Sequence, residues 1–224
     1  RGVSRMFGIE LMVNFRQPYF SRSITEFWRR WHISLSSWLK DYLYVPLGGN
    51  RQTALRTYRN LMITMLIGGL WHGASWKFVV WGGLHGLYLA CHKYLLSGRK
   101  LEWEQRPSTR TEWLQAFPRI LATNLLVLLA WLFFRAESFG AASDSLTVIA
   151  TAAFTAKGFL AIALSLLFFH CMVLVVDLGA YLTDDHDFME SRPVYRRAFV
   201  YSLYAVCIWV AWPTDYAPFI YFQF

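Results

Sequence analysis

The sequence predicts an all-α, polytopic membrane protein: a helical bundle with interfacial helices and one broken or re-entrant helix. Only 16% of its 224 residues are charged, whereas soluble domains carry about 25%. Its mean hydropathy is +0.31, and several apolar runs approach the roughly 20 residues that a helix needs to cross a bilayer. One run is interrupted at Gly68–Trp76, where glycines, tryptophans and a histidine alternate. We therefore expect a helix break there.

The formal net charge of +8 does not indicate a nucleic-acid-binding protein. The basic residues lie in segments that flank the apolar runs, as the positive-inside rule describes. We therefore expect contact with membrane lipid and no nucleic acid. The three cysteines, at 91, 171 and 207, lie within apolar runs, so a disulfide framework is not expected. The sequence has no H-E-x-x-H motif and no cysteine pair, so we expect no metal.

Residues 1–60 form the predicted interfacial segment. Ser23 and Glu26 have the spacing of a capping box, which marks the start of a helix. Aromatic and leucine side chains then recur every three or four residues as one apolar stripe, at Trp28, Trp31, Leu35, Trp38 and Tyr42. We expect a single helix that lies in the membrane interface and ends near Pro46.

Membrane helices are predicted at about 61–96, 118–134, 158–182 and 194–212. The first is divided, because Leu61–His72 is too short to span a bilayer alone whereas Trp76–Leu96 is long enough. Lys and Arg are frequent in 1–60, 97–117 and 183–197, which places those segments in the cytoplasm, and rare in 135–157 and in the tail after residue 212, which are expected outside. The 61–96 region thus enters the membrane and returns near His72. Since the chain opens on Arg1, we expect it to be the C-terminal part of a longer protein.

His72 is the main candidate for a functional residue. Ionisable groups at membrane depth are costly and usually face a cavity or a partner, and irregular backbone is tolerated there only when it is buried or lines a cavity. The neighbouring glycines would let another backbone or a substrate approach closely. The alternative is a neutral histidine hydrogen-bonded within the bundle.

Other polar residues are weaker candidates. A helical stripe formed by Trp81, His85, Tyr88 and His92 is interpreted as a bundle seam with hydrogen-bonded histidines. Asp41 and Asn60 either line a donor entrance or are solvated. Arginines 51, 56 and 59 either attract an anionic substrate or contact anionic lipid. His170 is expected to be structural and His186 solvated.

Four stretches resemble the membrane-bound O-acyltransferase (MBOAT) family, and within it the bacterial alginate O-acetyltransferase branch. They are Phe27–Arg51 (FWRRWHISLSSWLKDYLYVPLGGNR), Gly68–Gly86 (GGLWHGASWKFVVWGGLHG), Leu132–Phe139 (LFFRAESF) and the ending PFIYFQF. The resemblance extends over essentially the whole chain, and members of this branch are about twice as long. It therefore implies that residues 1–224 are the C-terminal part of one MBOAT-type membrane domain, with the N-terminal half absent.

The resemblance also implies an activity. His72 matches the family's near-universal catalytic histidine, and His32 matches the histidine of its RRWH motif. The implied protein is a multi-pass enzyme of the bacterial cytoplasmic (inner) membrane that moves an acetyl group onto an extracytoplasmic polysaccharide, with periplasmic acetylation partner proteins. It would hold no permanent cofactor and would use an acyl thioester, acetyl-CoA or an acyl carrier protein, as co-substrate.

The chemistry suits these residues. Acyl transfer from a thioester to a hydroxyl needs a base, and histidine serves as one near neutral pH. We assign that role to His72, whereas His32 would orient a substrate or stabilise the oxyanion. The sequence has no G-x-S-x-G motif, so a serine acyl-enzyme is not supported. Two alternatives stay open: a transporter or proton-relay protein, and an inactive fragment.

Overall fold

The protein is described by a computed structural model that covers residues 2–95, 107–153, 155, 157–158, 160, 164, 176–185 and 187–210. Every regular element within these ranges is helical, as the sequence predicts. The chain divides into two compact units, Arg1–Thr147 and Val148–Phe224. Both candidate catalytic histidines lie in the first unit.

The first unit opens with short helices. Helix α1 covers Gly2–Met6 and a 3-10 turn covers Pro18–Phe20, followed by α2 at Ile24–Arg30, α3 at Ile33–Leu39 and a π-helical turn at Lys40–Tyr44. The predicted cap of α2 is present, because Ser23 Oγ accepts a hydrogen bond from the Glu26 amide at 3.2 Å. The buried Glu26 carboxylate also forms an ion pair with Arg30 one turn further along α2, at 2.8 Å.

The prediction of one continuous helix after Ser23 is wrong. Helix α2 ends at Arg30, and His32 adopts the left-handed conformation with φ 45° and ψ 56°. An upstream segment without regular structure is hydrogen-bonded to both sides of this break. The Arg16 amide donates to the Arg30 carbonyl, and the Ile33 amide donates to the Asn14 carbonyl, each at 2.9 Å. These bonds replace the intrahelical partners that a continuous helix would supply.

The predicted apolar stripe is divided by the same break. Trp28 and Leu35 are buried, whereas Trp38 is 52% exposed and Tyr42 is 70% exposed. Only the first part of the stripe therefore faces the protein core.

Helices α4 and α5 form an antiparallel hairpin. Helix α4 covers Ala54–Trp71 and α5 covers Trp76–Leu95, so the chain turns at 72–75, where the sequence predicts a break. Gly73 has φ 152°, a conformation that other residues rarely adopt. Helix α4 also begins upstream of the predicted apolar run, because Thr53 Oγ1 caps it by accepting from the Arg56 amide.

The two helices approach each other at backbone contact. A Cβ atom added to Gly69 would lie 2.2 Å from the Phe78 carbonyl oxygen, and one added to Gly82 would lie 2.3 Å from the Met65 carbonyl oxygen. The expectation that glycines admit another backbone at this point is therefore confirmed, and the second backbone is that of the same hairpin.

Helix α6 covers Arg110–Arg135 and packs against α5. Among the described helices it is the one that is long and apolar enough to cross a membrane. The predicted start of this helix, near residue 118, is wrong. Thr109 Oγ1 accepts from the Glu112 amide at 3.2 Å, and the Glu112 carboxylate accepts from the Ser108 amide at 2.8 Å, so a reciprocal capping box starts the helix before Pro118.

The remaining helices are α7 at Phe139–Ala153, which lies within the segment expected outside the membrane, and α8 at Val194–Val210. Residues 176–183 are also helical. Most of the predicted 158–182 helix, His170, His186, Cys171 and the tail after residue 210 lie outside the described residues.

Helix α5 is the centre of the first unit, since it packs against α2, α4 and α6. The buried core cluster contains residues from all four helices: Ile24, Phe27, Trp28, Met65, Trp81, Leu89, Val127 and Ala130. The turn that carries His72 is attached directly to this core through α4 and α5.

Candidate active site

His72 lies at the end of α4, where the helix gives way to the turn. Its backbone amide still donates to the Gly69 carbonyl at 2.9 Å, while Gly73 reverses the chain with a positive φ. The backbone contacts at Gly69 and Gly82 fix the position of this turn along the axis of α5. The His72 side chain is only 7% exposed, although Trp71 and Trp76 near it are 55% and 75% exposed, so at the end of the hairpin the histidine itself is turned into the protein.

Aromatic rings surround the His72 imidazole. They come from the end of α4, from α5 and from the end of α6, and their centroids lie 4.9–6.2 Å from it: Trp71, Phe78, Trp81 and Phe134. Trp81 and Phe134 meet it edge to face, at 5.2 and 5.0 Å. Such surroundings exclude water and hold the imidazole in one orientation.

His32 is positioned by the break between α2 and α3. Its Nδ1 atom is buried and has no hydrogen-bond partner among the described residues. Burial lowers the pKa of His32 from its ordinary value of 6.5, so the neutral imidazole is the favoured form in the folded protein. A left-handed backbone at a non-glycine residue is uncommon and costly, and such conformations cluster at functional sites.

The two histidines are brought together. Trp71 contacts both of them, with its ring centroid 6.2 Å from that of His32 and 4.9 Å from that of His72. The fold thus brings two imidazoles from two helix breaks against one indole ring, and one of these imidazoles has a buried nitrogen without a partner among the described residues.

The predicted seam of hydrogen-bonded histidines on α5 is present. His85 Nδ1 accepts from Trp28 Nε1 at 3.3 Å, and His92 Nδ1 lies 2.9 Å from Thr25 Oγ1. Both bonds connect α5 to α2, so these histidines hold the segment that leads to His32.

The structure excludes one of the two alternatives for Asn60. The residue is fully buried, and its Nδ2 donates to the Leu47 carbonyl at 3.0 Å, which ties the loop before α4 to the helix. The solvated interpretation is therefore wrong for Asn60. Asp41 is exposed, as are the three arginines at 51, 56 and 59.

Sequence reasoning missed two neighbours of His72. Trp81 was interpreted only as part of the α5 seam, although the turn at 72–75 brings it against His72. Phe134 lies in the LFFRAESF stretch, so its presence near the site had a signal in that motif, but its contact with His72 depends on the packing of α6 against α5. The spacing of residues within a single helix predicts neither the contact of His72 with Trp81 nor that with Phe134.

Comparison with known proteins identifies the family. Residues 2–129 match the sequence model of the membrane-bound O-acyltransferase family, and this is more than half of the chain. The chain belongs to this family. The matched region contains both His32 and His72, and most of the aromatic wall around His72.

Curated relatives of this MBOAT chain include enzymes with several acceptors. It is 52% identical over 137 residues to the protein named "Probable alginate O-acetylase AlgI" of Azotobacter vinelandii, which is 61% of this chain and 25% of that protein. It is 47% identical over 141 residues to the peptidoglycan O-acetyltransferase of Helicobacter pylori, 61% and 24% respectively. It is 31% identical over 147 residues to the teichoic acid D-alanyltransferase of Streptococcus thermophilus, 59% and 35%.

The chain thus spans about a quarter of the length of the alginate and peptidoglycan relatives that it matches. The activities in the names of these relatives belong to those proteins, and what the comparison shows for this chain is its membership of the MBOAT family.

Proposed function

We propose that the protein transfers an acyl group, acetyl in the first instance, from a cytoplasmic thioester to hydroxyls of an extracytoplasmic polysaccharide such as alginate. The donor is acetyl-CoA or an acyl carrier protein, and no cofactor is held permanently. The observation that carries the proposal is the burial of His72, in a chain of the MBOAT family, beside His32 and an aromatic wall. The family argues against the transporter and proton-relay alternative.

In the proposed mechanism His72 is the general base. One of its ring nitrogens takes the proton of the acceptor hydroxyl as that oxygen attacks the thioester carbonyl carbon. The tetrahedral intermediate then collapses, the C–S bond breaks, and the leaving thiolate takes the proton back from His72. His32, which contacts Trp71 as His72 does, orients one of the substrates.

The acetyl assignment and the polysaccharide acceptor rest on the relatives. Two of them are named for O-acetylation, of alginate and of peptidoglycan, and a more distant one for D-alanylation of teichoic acid. The proposed location is the bacterial inner membrane, where the protein is multi-pass and works with periplasmic acetylation partners. The exposed arginines 51, 56 and 59 would attract the anionic donor on the cytoplasmic side, or contact anionic lipid.

The direct test uses the full-length protein in lipid vesicles. Radiolabelled acetyl-CoA and, separately, acetylated acyl carrier protein are supplied with alginate, peptidoglycan or teichoic acid fragments. We expect label to enter alginate hydroxyl esters, which mild base releases. Transfer to a different polymer would show that alginate is not the acceptor. The absence of any transfer with the periplasmic partners present would contradict the proposed function.

The proposed topology has residues 97–117 inside and 135–157 outside, with α6 crossing between them. Its 26 residues extend about 39 Å at 1.5 Å per residue, enough for a hydrocarbon core of about 30 Å. In intact cells an impermeant maleimide should label Ser143→Cys and spare Ser108→Cys, and both serines are exposed. Permeabilised cells provide the control, because both positions should then react. Labelling at 108 together with protection at 143 would reverse the orientation.

We expect His32→Asn to lower transfer by about 10²-fold, the size of effect that a substrate displaced by about 1 Å produces. Asparagine tolerates the left-handed backbone, so this change removes the imidazole with little strain, whereas His32→Ala would add a backbone cost. Gln17, also left-handed with φ 45°, provides the control: Gln17→Asn should leave transfer nearly normal. Equal activity of the two variants would show that His32 acts only in packing.

A further inference from the structure

Two buried N–H groups on α5 have no acceptor in the part of the chain that the structure describes. They are Trp81 Nε1 and His85 Nε2. Trp81 is 4% exposed and His85 is 0% exposed, so neither group donates to bulk solvent. Leaving a buried donor without a partner is costly, and each such group in a native protein calls for an explanation.

The protonation of His85 follows from its neighbour. The Trp28 indole nitrogen can only donate, and it donates to His85 Nδ1 at 3.3 Å. Nδ1 is therefore the acceptor nitrogen of a neutral imidazole, and the hydrogen must be on Nε2. The unpartnered atom of His85 is thus a donor, and Trp28 fixes it in that form.

The rings that carry the two donors are neighbours, and one of them lies beside His72. The ring centroids of Trp81 and His85 are 4.9 Å apart, one helical turn along α5. The Trp81 ring lies 5.2 Å from the His72 ring. The two N–H groups therefore belong to adjacent rings on one helix, and the Trp81 ring contacts the residue to which we assign the base.

The two rings are held by packing on several sides. Trp28 contacts both of them, with centroids 5.8 Å from Trp81 and 5.0 Å from His85. Phe134 packs against Trp81 at 5.6 Å, and Phe27 stacks on His85 at 6.3 Å. Donors that are fixed in this way need no reorganisation when charge develops near them, which is the physical requirement for an oxyanion site.

We propose that the indole N–H of Trp81 and the Nε2–H of His85 bind the carbonyl oxygen of the acyl thioester and stabilise the oxyanion formed from it. The inference rests on the proposed acyl transfer. As the acceptor oxygen bonds to the carbonyl carbon, the C=O π electrons move to the carbonyl oxygen, and these two N–H groups donate to it. When the C–S bond breaks, the C=O bond re-forms and the thiolate leaves. Trp81 and His85 are then catalytic residues, and Trp28 is a positioning residue.

The first test removes the Trp81 donor and keeps an aromatic ring, although a smaller one, at this position. In the full-length protein we expect Trp81→Phe to lower kcat by about 10²-fold or more, with KM changed by less than about threefold, since the lost interaction strengthens only in the transition state. Trp131→Phe is the matched control, because Trp131 packs against the same core through Phe27 and Trp31. Its kcat should stay near the wild-type value.

A second substitution at the same position separates chemistry from packing. Incorporation of 3-benzothienylalanine at position 81 replaces the N–H by sulfur and preserves the shape of the ring system. If Trp81→Phe fails to fold, this variant decides the matter. A kcat close to wild type in a well-folded variant without the N–H overturns the role of Trp81.

Two variants of His85 distinguish an oxyanion donor from a structural acceptor. Glutamine places its amide nitrogen near the position of Nε2 and so keeps the outward donor, whereas asparagine places its amide oxygen near Nδ1 and so keeps only the acceptor for Trp28. We expect His85→Gln to retain more kcat than His85→Asn. The reverse order would show that His85 only anchors Trp28.

A spectroscopic measurement reports on the carbonyl itself. With a ¹³C-carbonyl acetyl thioester bound to the His72→Gln variant, which holds the donor without turnover, the infrared carbonyl stretch should lie at lower frequency than in solution. Adding Trp81→Phe should return it toward the solution value. An unshifted band in His72→Gln overturns the oxyanion proposal and leaves the general-base assignment standing, whereas an enzyme that transfers no acyl group at all overturns both.

Discussion

Replacing His72 by glutamine in the full-length protein is expected to reduce acyl transfer by about 10²- to 10⁴-fold, the usual contribution of a general base. Glutamine forms hydrogen bonds but cannot accept a proton at neutral pH. Membrane insertion and abundance should stay near normal, because the aromatic rings around position 72 tolerate a neutral side chain of similar length. The measurement is the initial rate of polysaccharide acetylation at equal protein levels.

His92→Gln is the matched control for this experiment. His92 is on the same hairpin and is hydrogen-bonded to Thr25, but it belongs to the far end of α5. We expect it to retain most of its transfer rate. Near-normal acetylation by His72→Gln would remove the general-base assignment and favour a structural histidine.

Changing Gly82 to alanine is expected to destabilise the fold by about 3 kcal/mol, at the upper end of the usual cost of overpacking. The added Cβ would lie 2.3 Å from the Met65 carbonyl oxygen and 3.1 Å from Leu66 Cα. Both are backbone atoms, so no side-chain rotation relieves the clash and the two helices must separate. The thermal midpoint in detergent and the yield of monodisperse protein should both fall.

Gly83 provides the comparison for Gly82. A Cβ at Gly83 would meet Leu66 Cδ2 at 3.8 Å, an ordinary contact, so Gly83→Ala should be nearly neutral or slightly stabilising through its better helix propensity. Similar thermal midpoints for the two variants would mean that the helices are not in backbone contact at Gly82. We also expect Gly82→Ala to lower transfer, since α4 and α5 together place His72.

The helix break at His72 could be predicted because its cause is local. The apolar run Leu61–His72 is too short to span a bilayer and has glycines near its end, and the following run, Trp76–Leu96, is long enough for a separate helix. The break at His32 could not be predicted in this way. The stripe from Trp28 to Tyr42 has helical spacing throughout, and the bonds that interrupt it come from Asn14 and Arg16, whose positions follow from tertiary packing.

The start of α6 was predictable but was missed. Thr109 and Glu112 have the spacing of a capping box, as Ser23 and Glu26 do, yet the polar composition of 97–117 led to a predicted start near residue 118. Local capping chemistry decided the helix boundary, and composition did not. Proline inside α6 removes one donor, but the helix continues through it.

Sequence motifs identified His32 and His72 but not the groups around them. That Trp81 and Phe134 contact His72 depends on a reversal of the chain at Gly73 and on the docking of α6, which no spacing rule describes. The hydrogen bond from Trp28 to His85 likewise joins residues 57 positions apart. Partners of this kind are found only when helices are seen together.

The glycine contacts between α4 and α5 also have a consequence for the order of assembly. Only residues 72–75 separate the two helices, so the loop-closure entropy of bringing them together is small, and contacts between near neighbours in sequence form quickly. The hairpin that carries His72 can therefore form as soon as residue 95 has left the ribosome, before α6 is made. Phe134 closes the aromatic wall only afterwards, so the pocket around the base is completed by a late step of synthesis.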